Sequence, residues 1–163
     1  AQGPCGIVLG ADTASALRDF PLTAEAGFDF WSLYARHVPA ELLQNTSIIK
    51  MIALDSNYTA EEVRALEKIG ADVLEASVIK PETYGQPLTA KEILTYAAIC
   101  SGTSLPVVVP TQRYIKPNDV LVLSRCKVAG IMTGAVVTGK TSDTIAKALG
   151  AFRNEIDKMP ETA

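Results

Sequence analysis

The sequence predicts one α/β domain, residues 1–163, built on a parallel sheet of about six strand–helix units. Six apolar, β-branched runs alternate with segments of helical periodicity. Most of the runs are continuously apolar, which is typical of strands buried on both faces of a parallel sheet. The predicted strands are 6–10, 28–34, 48–54, 71–76, 106–110 and 128–133. Right-handed crossovers between consecutive strands would make all of them run in the same direction.

The segments between these runs carry the signals that start and end helices. Residues 59–62 and 89–92 both match the capping box, in which a Thr hydroxyl and a Glu carboxylate satisfy free N–H groups at a helix start. Pro117 is acceptable in the first turn of a later helix, and Gly70 and Gly102 follow helices where a left-handed residue is favoured. The apolar stripe of the last predicted helix is Ile145, Leu149, Phe152, Ile156 and Met159.

Two architectures fit this alternation of strands and helices. One is a doubly wound open sheet, and the other is a TIM-barrel-like (β/α)₈ arrangement. A complete barrel usually takes about 250 residues and rarely fewer than about 200, so a length of 163 residues alone favours the open sheet. Both architectures bind ligands at the carboxyl ends of their strands, and the functional site is therefore predicted there.

Composition excludes several classes of protein. A net charge of −3 without a cluster of Lys and Arg argues against nucleic-acid binding. No apolar run approaches the roughly 20 residues that cross a bilayer, and no signal peptide is visible, so a cytoplasmic location without membrane contact is expected. Three cysteines, an odd number without a CxxC pair, predict neither a disulfide framework nor a metal site.

Polar residues follow nearly every predicted strand. A carboxylate at the end of an apolar strand is costly to bury unless it is paired or bound, so Asp55 and Glu75 are the predicted acid–base residues. His37, the only histidine, is a further candidate catalytic residue as a general acid or base. Lys80 or Arg36 would stabilise developing negative charge, and Lys80 is also a candidate Schiff-base lysine. The alternative is that the carboxylates cap helices or pair with cations, and that His37 and Lys80 are ordinary loop residues.

Residues 134–141, GAVVTGKT, match the P-loop pattern G-x-x-x-x-G-K-[ST] between a predicted strand and a helix. Two features count against a nucleotide triphosphatase. Only one helix follows, so no later strand can supply a metal-holding acid. The interior Ala-Val-Val is also poorly suited to wrapping backbone amides around phosphates. A P-loop-like nucleotide-binding protein is kept as an alternative.

The segments 105–120 (LPVVVPTQRYIKPNDV) and 128–137 (VAGIMTGAVV) resemble the seventh and eighth βα units of phosphate-binding (β/α)₈ barrels. The resemblance implies that two loops hold a substrate or flavin phosphate. The residues it places near that phosphate are Gln112, Arg113, Thr133, Gly134 and Ala135. The chain departs from the pattern where 111–113, TQR, replaces a glycine pair. It also has six predicted units where a barrel has eight. The resemblance therefore implies a TIM-barrel-like sheet, either an incomplete barrel or an open relative of one, with the doubly wound sheet as the alternative.

These observations predict an enzyme that acts on a small phosphorylated or anionic metabolite by acid–base chemistry next to a carbonyl, as a lyase, aldolase or isomerase does. Asp55 or Glu75 would move the proton, with the last two loops anchoring the phosphate. The sequence requires no cofactor, although the resemblance allows a flavin. A non-catalytic α/β scaffold, or a subunit of a homo-oligomer with strand edges covered by a partner, is the third alternative.

Overall fold

A computed structural model describes residues 3–159 and contains one six-stranded parallel sheet. The strands are β1 (Gly6–Val8), β2 (Phe30–Tyr34), β3 (Ile49–Ala53), β4 (Val73–Glu75), β5 (Val107–Pro110) and β6 (Gly130–Met132). Each strand pairs with the next one along the chain, from β1 to β6. The ordered strands are shorter than the predicted runs, because the outer residues of each run enter the connecting loops.

The sheet order decides between the two architectures. A doubly wound sheet reverses its strand order at a switch point, whereas these strands follow one another in a single direction. The prediction of a TIM-barrel-like parallel sheet of six βα units is therefore confirmed, and the doubly wound alternative does not describe this fold.

The connections between strands are mainly helical. The α-helices are α1 (Thr13–Glu25), α2 (Ala40–Leu43), α3 (Ala60–Ala65), α4 (Ala90–Gly102), α5 (Val120–Arg125), α6 (Ala135–Thr138) and α7 (Ser142–Ile156). Short 3₁₀ turns lie at Ala35–His37, Glu67–Ile69, Pro81–Thr83 and Pro117–Asp119. No helix among residues 3–159 is both long enough and apolar enough to cross a membrane.

The helix ends follow the predicted signals with one exception. Thr59 and Thr89 both form complete capping boxes with Glu residues three positions on. Gly70 takes a left-handed conformation with φ of 87°. Gly102 is instead the last residue of α4 and has no positive φ, so its predicted role was wrong. The helix ends there because Thr103 is already extended.

The core lies between the sheet and the helices on one of its faces. Trp31 and Leu33 of β2 are buried against Ala16 of α1 and Leu42 of α2. A larger cluster contains the helix-facing side chains of β3–β5 together with residues of helices α3, α4, α5 and α7. Because side chains alternate along a strand, the residues between these core positions face the opposite side of the sheet.

The last helix is only partly packed. Phe152 is buried in the larger cluster, and Ile156 and Met159 pack against it. Ile145 and Leu149, which were predicted to share this stripe, are 37% and 45% exposed. The apolar stripe of α7 is therefore covered mainly along its C-terminal half within the described part of the chain.

Candidate functional site

The carboxyl ends of β1–β4 surround a cavity of about 340 Å³. Its polar lining comes from residues on the face of the sheet opposite the helical core. They are Ser32 and Tyr34 of β2, Glu75 of β4, and Arg36 and His37 from the 3₁₀ turn after β2. Tyr34, Ala53 and Glu75 occupy the same level of the sheet on three neighbouring strands. Ala53, which has no side chain beyond Cβ, lines the cavity between Tyr34 and Glu75.

Glu75 is a partly buried carboxyl group in this cavity wall. Its Oε2 accepts a hydrogen bond of 2.7 Å from the Ser32 hydroxyl. Burial raises the pKa of Glu75 above the usual value for a glutamate, and the Ser32 hydrogen bond offsets that effect only in part. A carboxyl group with a raised pKa can take up or release a proton closer to neutral pH.

Asp55 is in a different electrostatic environment. It forms an ion pair with Arg36, and its Oδ1 accepts the Asn57 N–H at 2.8 Å. The Asn57 hydrogen bond, helped by Arg36, holds the pKa of Asp55 below its usual value. Asp55 lines an adjoining cavity of about 330 Å³ together with Arg36. The two predicted acid–base residues thus differ, and Asp55 is suited to remain a carboxylate that holds Arg36.

Arg36 lines both the cavity that contains Glu75 and the cavity that contains Asp55. Its guanidinium lies 4.6 Å from the centre of the Tyr34 ring, on the face that attracts cations. Its Nε donates to His37 Nε2 at 3.1 Å. Because the Arg36 side chain is 52% exposed, its charge is available at the rim of the cavity to attract an anion.

Lys80 does not line this cavity. It is exposed and precedes the turn at Pro81–Thr83, where its carbonyl accepts hydrogen bonds from Thr83. The burial that a Schiff-base lysine needs is absent at this position. Lys50, which lies within β3, is buried but is near the amino end of that strand, away from the cavity. Its Nζ contacts Asp72 at 3.1 Å and the Asn45 carbonyl at 3.0 Å.

Gln112 is buried after β5, and its amide is fully engaged. Oε1 accepts the Ile79 N–H at 3.1 Å, while Nε2 donates to Ser77 Oγ at 2.7 Å and to Tyr84 Oη at 2.6 Å. The Ser77 hydroxyl lies 2.9 Å from the Tyr34 hydroxyl. This network, Tyr34–Ser77–Gln112–Tyr84, joins the ends of β2 and β5 to the loop after β4.

Arg113 lies in a second, buried cluster. Nη2 donates to Glu92 Oε1 at 2.6 Å, and Nη1 donates to the Thr83 carbonyl and to Gln86 Oε1, both at 3.0 Å. Although burial opposes it, hydrogen bonds from Thr89 and Arg113 hold the pKa of Glu92 below its usual value. The guanidinium therefore fastens the loop before α4 to the start of that helix.

The glycine at the end of β6 also has an internal partner. The Gly134 N–H donates to Thr111 Oγ1 at 2.8 Å, and Ala135 begins the short helix α6. The N–H groups of Val137 and Thr138 both donate to the Gly134 carbonyl. In the P-loop-like segment 134–141, these amides are therefore held within a helical turn rather than surrounding an open anion site.

The structure thus brings Arg36, His37 and Glu75 together at one cavity, with Asp55 beside it. It separates them from Lys80, and it gives Gln112, Arg113 and Gly134 internal partners. The predicted phosphate contacts of Gln112, Arg113, Thr133, Gly134 and Ala135 stay predictions. Among residues 3–159, no group of three or more His, Cys, Asp or Glu side chains is placed to hold a metal ion.

Ser32 and Tyr34 were not among the predicted site residues. The signal for them was present in β2, where the order Phe-Trp-Ser-Leu-Tyr puts two hydroxyl groups on alternate positions of an otherwise apolar strand. Such a pattern places both hydroxyls on one face of the sheet. Tyr84 carried no comparable signal, because it lies in a loop whose course only the folded chain defines.

Comparison with protein-family models and with curated protein sequences gave no match. Solved structures do match. One is KGPDC from Streptococcus mutans, with a TM-score of 0.68 and 14% identity over 96% of this chain and 73% of that one. Thiamine phosphate pyrophosphorylase from Pyrococcus furiosus has a TM-score of 0.66 and 17% identity, over 96% of this chain and 68% of that one.

A mandelate racemase/muconate lactonizing family protein from Azoarcus sp. EbN1 also matches, with a TM-score of 0.64 and 20% identity over 94% of this chain. This chain spans 42% of that larger protein. At such identities the likeness concerns the fold. These neighbours are TIM-barrel enzymes, so the chain has a fold that corresponds to part of a TIM barrel.

Proposed function

We propose that this protein is an enzyme that moves a proton next to the carbonyl of a small anionic or phosphorylated metabolite, as lyases, aldolases and isomerases do. The observation that carries the proposal is Glu75. It is a cavity-lining carboxyl group whose pKa is raised by burial, beside an arginine whose charge remains accessible at the rim.

The proposed chemistry gives one role each to Glu75, Arg36 and Asp55. Glu75 in its ionised form takes a proton from the carbon next to the carbonyl, the C–H electron pair becomes a C=C bond, and the carbonyl oxygen gains negative charge. Arg36 attracts the anionic group of the substrate, and Asp55 keeps the guanidinium in place. If the proton returns to a different atom, the product is an isomer of the substrate. If a bond next to the new C=C bond breaks instead, the reaction is that of a lyase.

The structural neighbours support this class of substrate without identifying it. One carries the name thiamine phosphate pyrophosphorylase, and another belongs to a family named for mandelate and muconate, which are carboxylates. The phosphate position implied by residues 112–113 and 133–135 is part of the same proposal. Those residues also lie at carboxyl ends of strands, although several of their polar groups already have partners.

Proton transfer can be measured before the full reaction is known. The protein is incubated in D₂O with pyruvate, other small 2-oxo acids and dihydroxyacetone phosphate, and exchange of C–H for C–D is followed by proton NMR. We expect exchange with at least one compound, and a loss of about 100-fold or more in Glu75→Gln, as is typical when a general base is removed.

Asp55→Asn is the matched control, because it makes the same chemical change at the neighbouring carboxylate. We expect it to reduce exchange by less than Glu75→Gln does, since Asp55 only holds Arg36. Exchange that survives unchanged in Glu75→Gln, or exchange with none of the compounds in the wild-type protein, would contradict the proposal.

A further inference from the structure

We infer that the Tyr34 hydroxyl is a second catalytic group, which donates a hydrogen bond to the substrate oxygen that becomes negative when Glu75 removes the proton. This inference rests on the proposed function. It comes from the direction of the hydrogen bonds in the network Tyr34–Ser77–Gln112–Tyr84, and those directions can be worked out atom by atom.

The orientation of the Gln112 amide sets the first direction. A backbone N–H can only donate, so the atom that faces the Ile79 N–H must be the carbonyl oxygen Oε1. The amide nitrogen Nε2 then faces Ser77 and Tyr84 and donates one hydrogen to each hydroxyl oxygen. Gln112 itself is only 8% exposed, so solvent does not compete strongly for these groups.

The buried hydroxyl of Ser77 sets the next direction. Ser77 is 5% exposed, and within residues 3–159 its Oγ has two hydrogen-bonding neighbours, Gln112 Nε2 and Tyr34 Oη. Since Gln112 donates, the Ser77 hydrogen has Tyr34 Oη as its acceptor, at 2.9 Å. The opposite direction would leave the hydrogen of a buried hydroxyl without a partner, which is unfavourable.

Tyr34 therefore accepts from Ser77 and keeps its own hydrogen free to donate. Tyr34 lines the cavity, so that hydrogen is available to a ligand there. Tyr34 and Glu75 flank Ala53 at one level of the sheet, and two strand spacings put their backbones roughly 10 Å apart. A small carbonyl compound bound in this cavity would therefore meet both the acid–base group of Glu75 and the hydrogen-bond donor of Tyr34.

The division of roles follows from this geometry. When the C–H bond breaks toward Glu75, the electron pair moves into the C=C bond and the carbonyl π electrons move onto oxygen. A preorganised donor aimed at that oxygen lowers the barrier, because no solvent has to reorient. Tyr34 is the group in contact with the substrate, while Ser77 and Gln112 are positioning residues that act through it.

Oxalate is a suitable probe, because it is a planar dianion resembling the enolate of a 2-oxo acid. Its affinity is measured by isothermal titration calorimetry in the wild-type protein, Tyr34→Phe and Tyr114→Phe. We expect Tyr34→Phe to bind oxalate about tenfold more weakly or worse, the usual effect of losing one hydrogen bond to a charged group. Tyr114→Phe removes an exposed hydroxyl outside the network and should change the affinity less than about twofold.

The positioning role is tested at Ser77. Ser77→Ala should weaken oxalate binding, because the Tyr34 hydroxyl loses its orienting donor, and Ser77→Thr should restore the affinity by restoring the hydroxyl. Circular dichroism establishes that each variant is folded. If Ser77→Ala binds oxalate as the wild type does, or if threonine fails to restore a lost affinity, the relay through Ser77 is wrong.

The outcomes separate this inference from the proposed function. Glu75→Gln should lose proton exchange yet keep oxalate binding, because it removes a carboxylate that repels the dianion. Wild-type oxalate affinity that is unchanged in Tyr34→Phe, together with an exchange-dead Glu75→Gln, would overturn the role of Tyr34 alone. Absence of both oxalate binding and proton exchange in the wild type would overturn the proposed function itself.

Discussion

Within residues 3–159, two arginine–carboxylate pairs lie near the carboxyl edge of the sheet, and they differ mainly in burial. The side chains of Arg113 and Glu92 are 11% and 9% exposed, whereas those of Arg36 and Asp55 are 52% and 28% exposed. Arg113 Nη1 also donates to two loop oxygens, while Arg36 stacks on Tyr34 at the rim of a cavity. The buried pair of Arg113 and Glu92 thus holds a loop in place, whereas the exposed pair of Arg36 and Asp55 leaves a positive charge accessible at the cavity rim.

Breaking the buried pair should produce the largest effect on stability. Arg113→Met leaves the Glu92 carboxylate buried without its cation, a change that costs about 3–5 kcal/mol in other proteins. We expect the free energy of unfolding to fall by about 3 kcal/mol in urea denaturation. The double variant with Glu92→Met should recover part of this loss, because neither charge remains; a double variant less stable than Arg113→Met would contradict this view of the pair.

The second prediction concerns how the free energy of unfolding depends on pH at Glu75, for comparison with Asp55. The folded-state pKa of Glu75 is raised, so between the unfolded value of 4.5 and that raised value the folded protein holds more protons. Stability contributed at this position therefore falls as pH rises through that window. Glu75→Gln should be more stable than the wild type at pH 7, with the difference disappearing below pH 4.

Asp55 should respond with the opposite sign. Its folded-state pKa is lowered from 3.8, so its contribution to stability is present above that pH and is lost as pH falls through the folded value. Asp55→Asn should therefore be less stable than the wild type at pH 7, and the two should converge in acid. Thermal unfolding of both variants at several pH values checks the pair, and equal signs would refute the assignment of the two environments.

The exposed pair should give the smallest change in stability and a clear change in binding. Arg36→Met removes a solvent-exposed ion pair, which is worth less than about 1 kcal/mol. It also removes the cation at the cavity rim, so oxalate or inorganic phosphate should bind about tenfold more weakly. Calorimetric titration beside urea unfolding measures both. If Arg36→Met unfolds as easily as Arg113→Met, the contrast between the pairs is wrong.

The shared direction of the strands could be predicted because it follows from the alternation of strands and helices along the chain. Continuous apolar runs such as 48–54 and capping boxes such as the one at Thr59 are encoded within a few residues. The position of Glu75 at a strand end was predictable for the same reason. The ends of the strands were less predictable, since only Val73–Glu75 of the predicted run 71–76 forms a β-strand.

The partners of charged groups could not be predicted, because they are set by contacts between distant segments. Nothing near Arg113 in sequence indicates that Glu92 will neutralise it, and the ion pair of Arg36 with Asp55 spans two strands. For the same reason Asp55 and Glu75 looked equivalent in sequence, although their environments shift their pKa values in opposite directions. Lys80 was predicted as a site residue from its place after the fourth strand. The amino-acid composition of that loop does not indicate that the Lys80 side chain is exposed outside the cavity.

Ala53 gives the cavity a size limit that is independent of its chemistry. It is the shortest side chain at the level shared by Tyr34 and Glu75, and it takes no part in charge or hydrogen bonding there. A valine or leucine at this position would take up part of the cavity without adding or removing a polar group. Selectivity for molecular size and the proton transfer proposed for Glu75 should therefore be adjustable separately, at different positions of neighbouring strands.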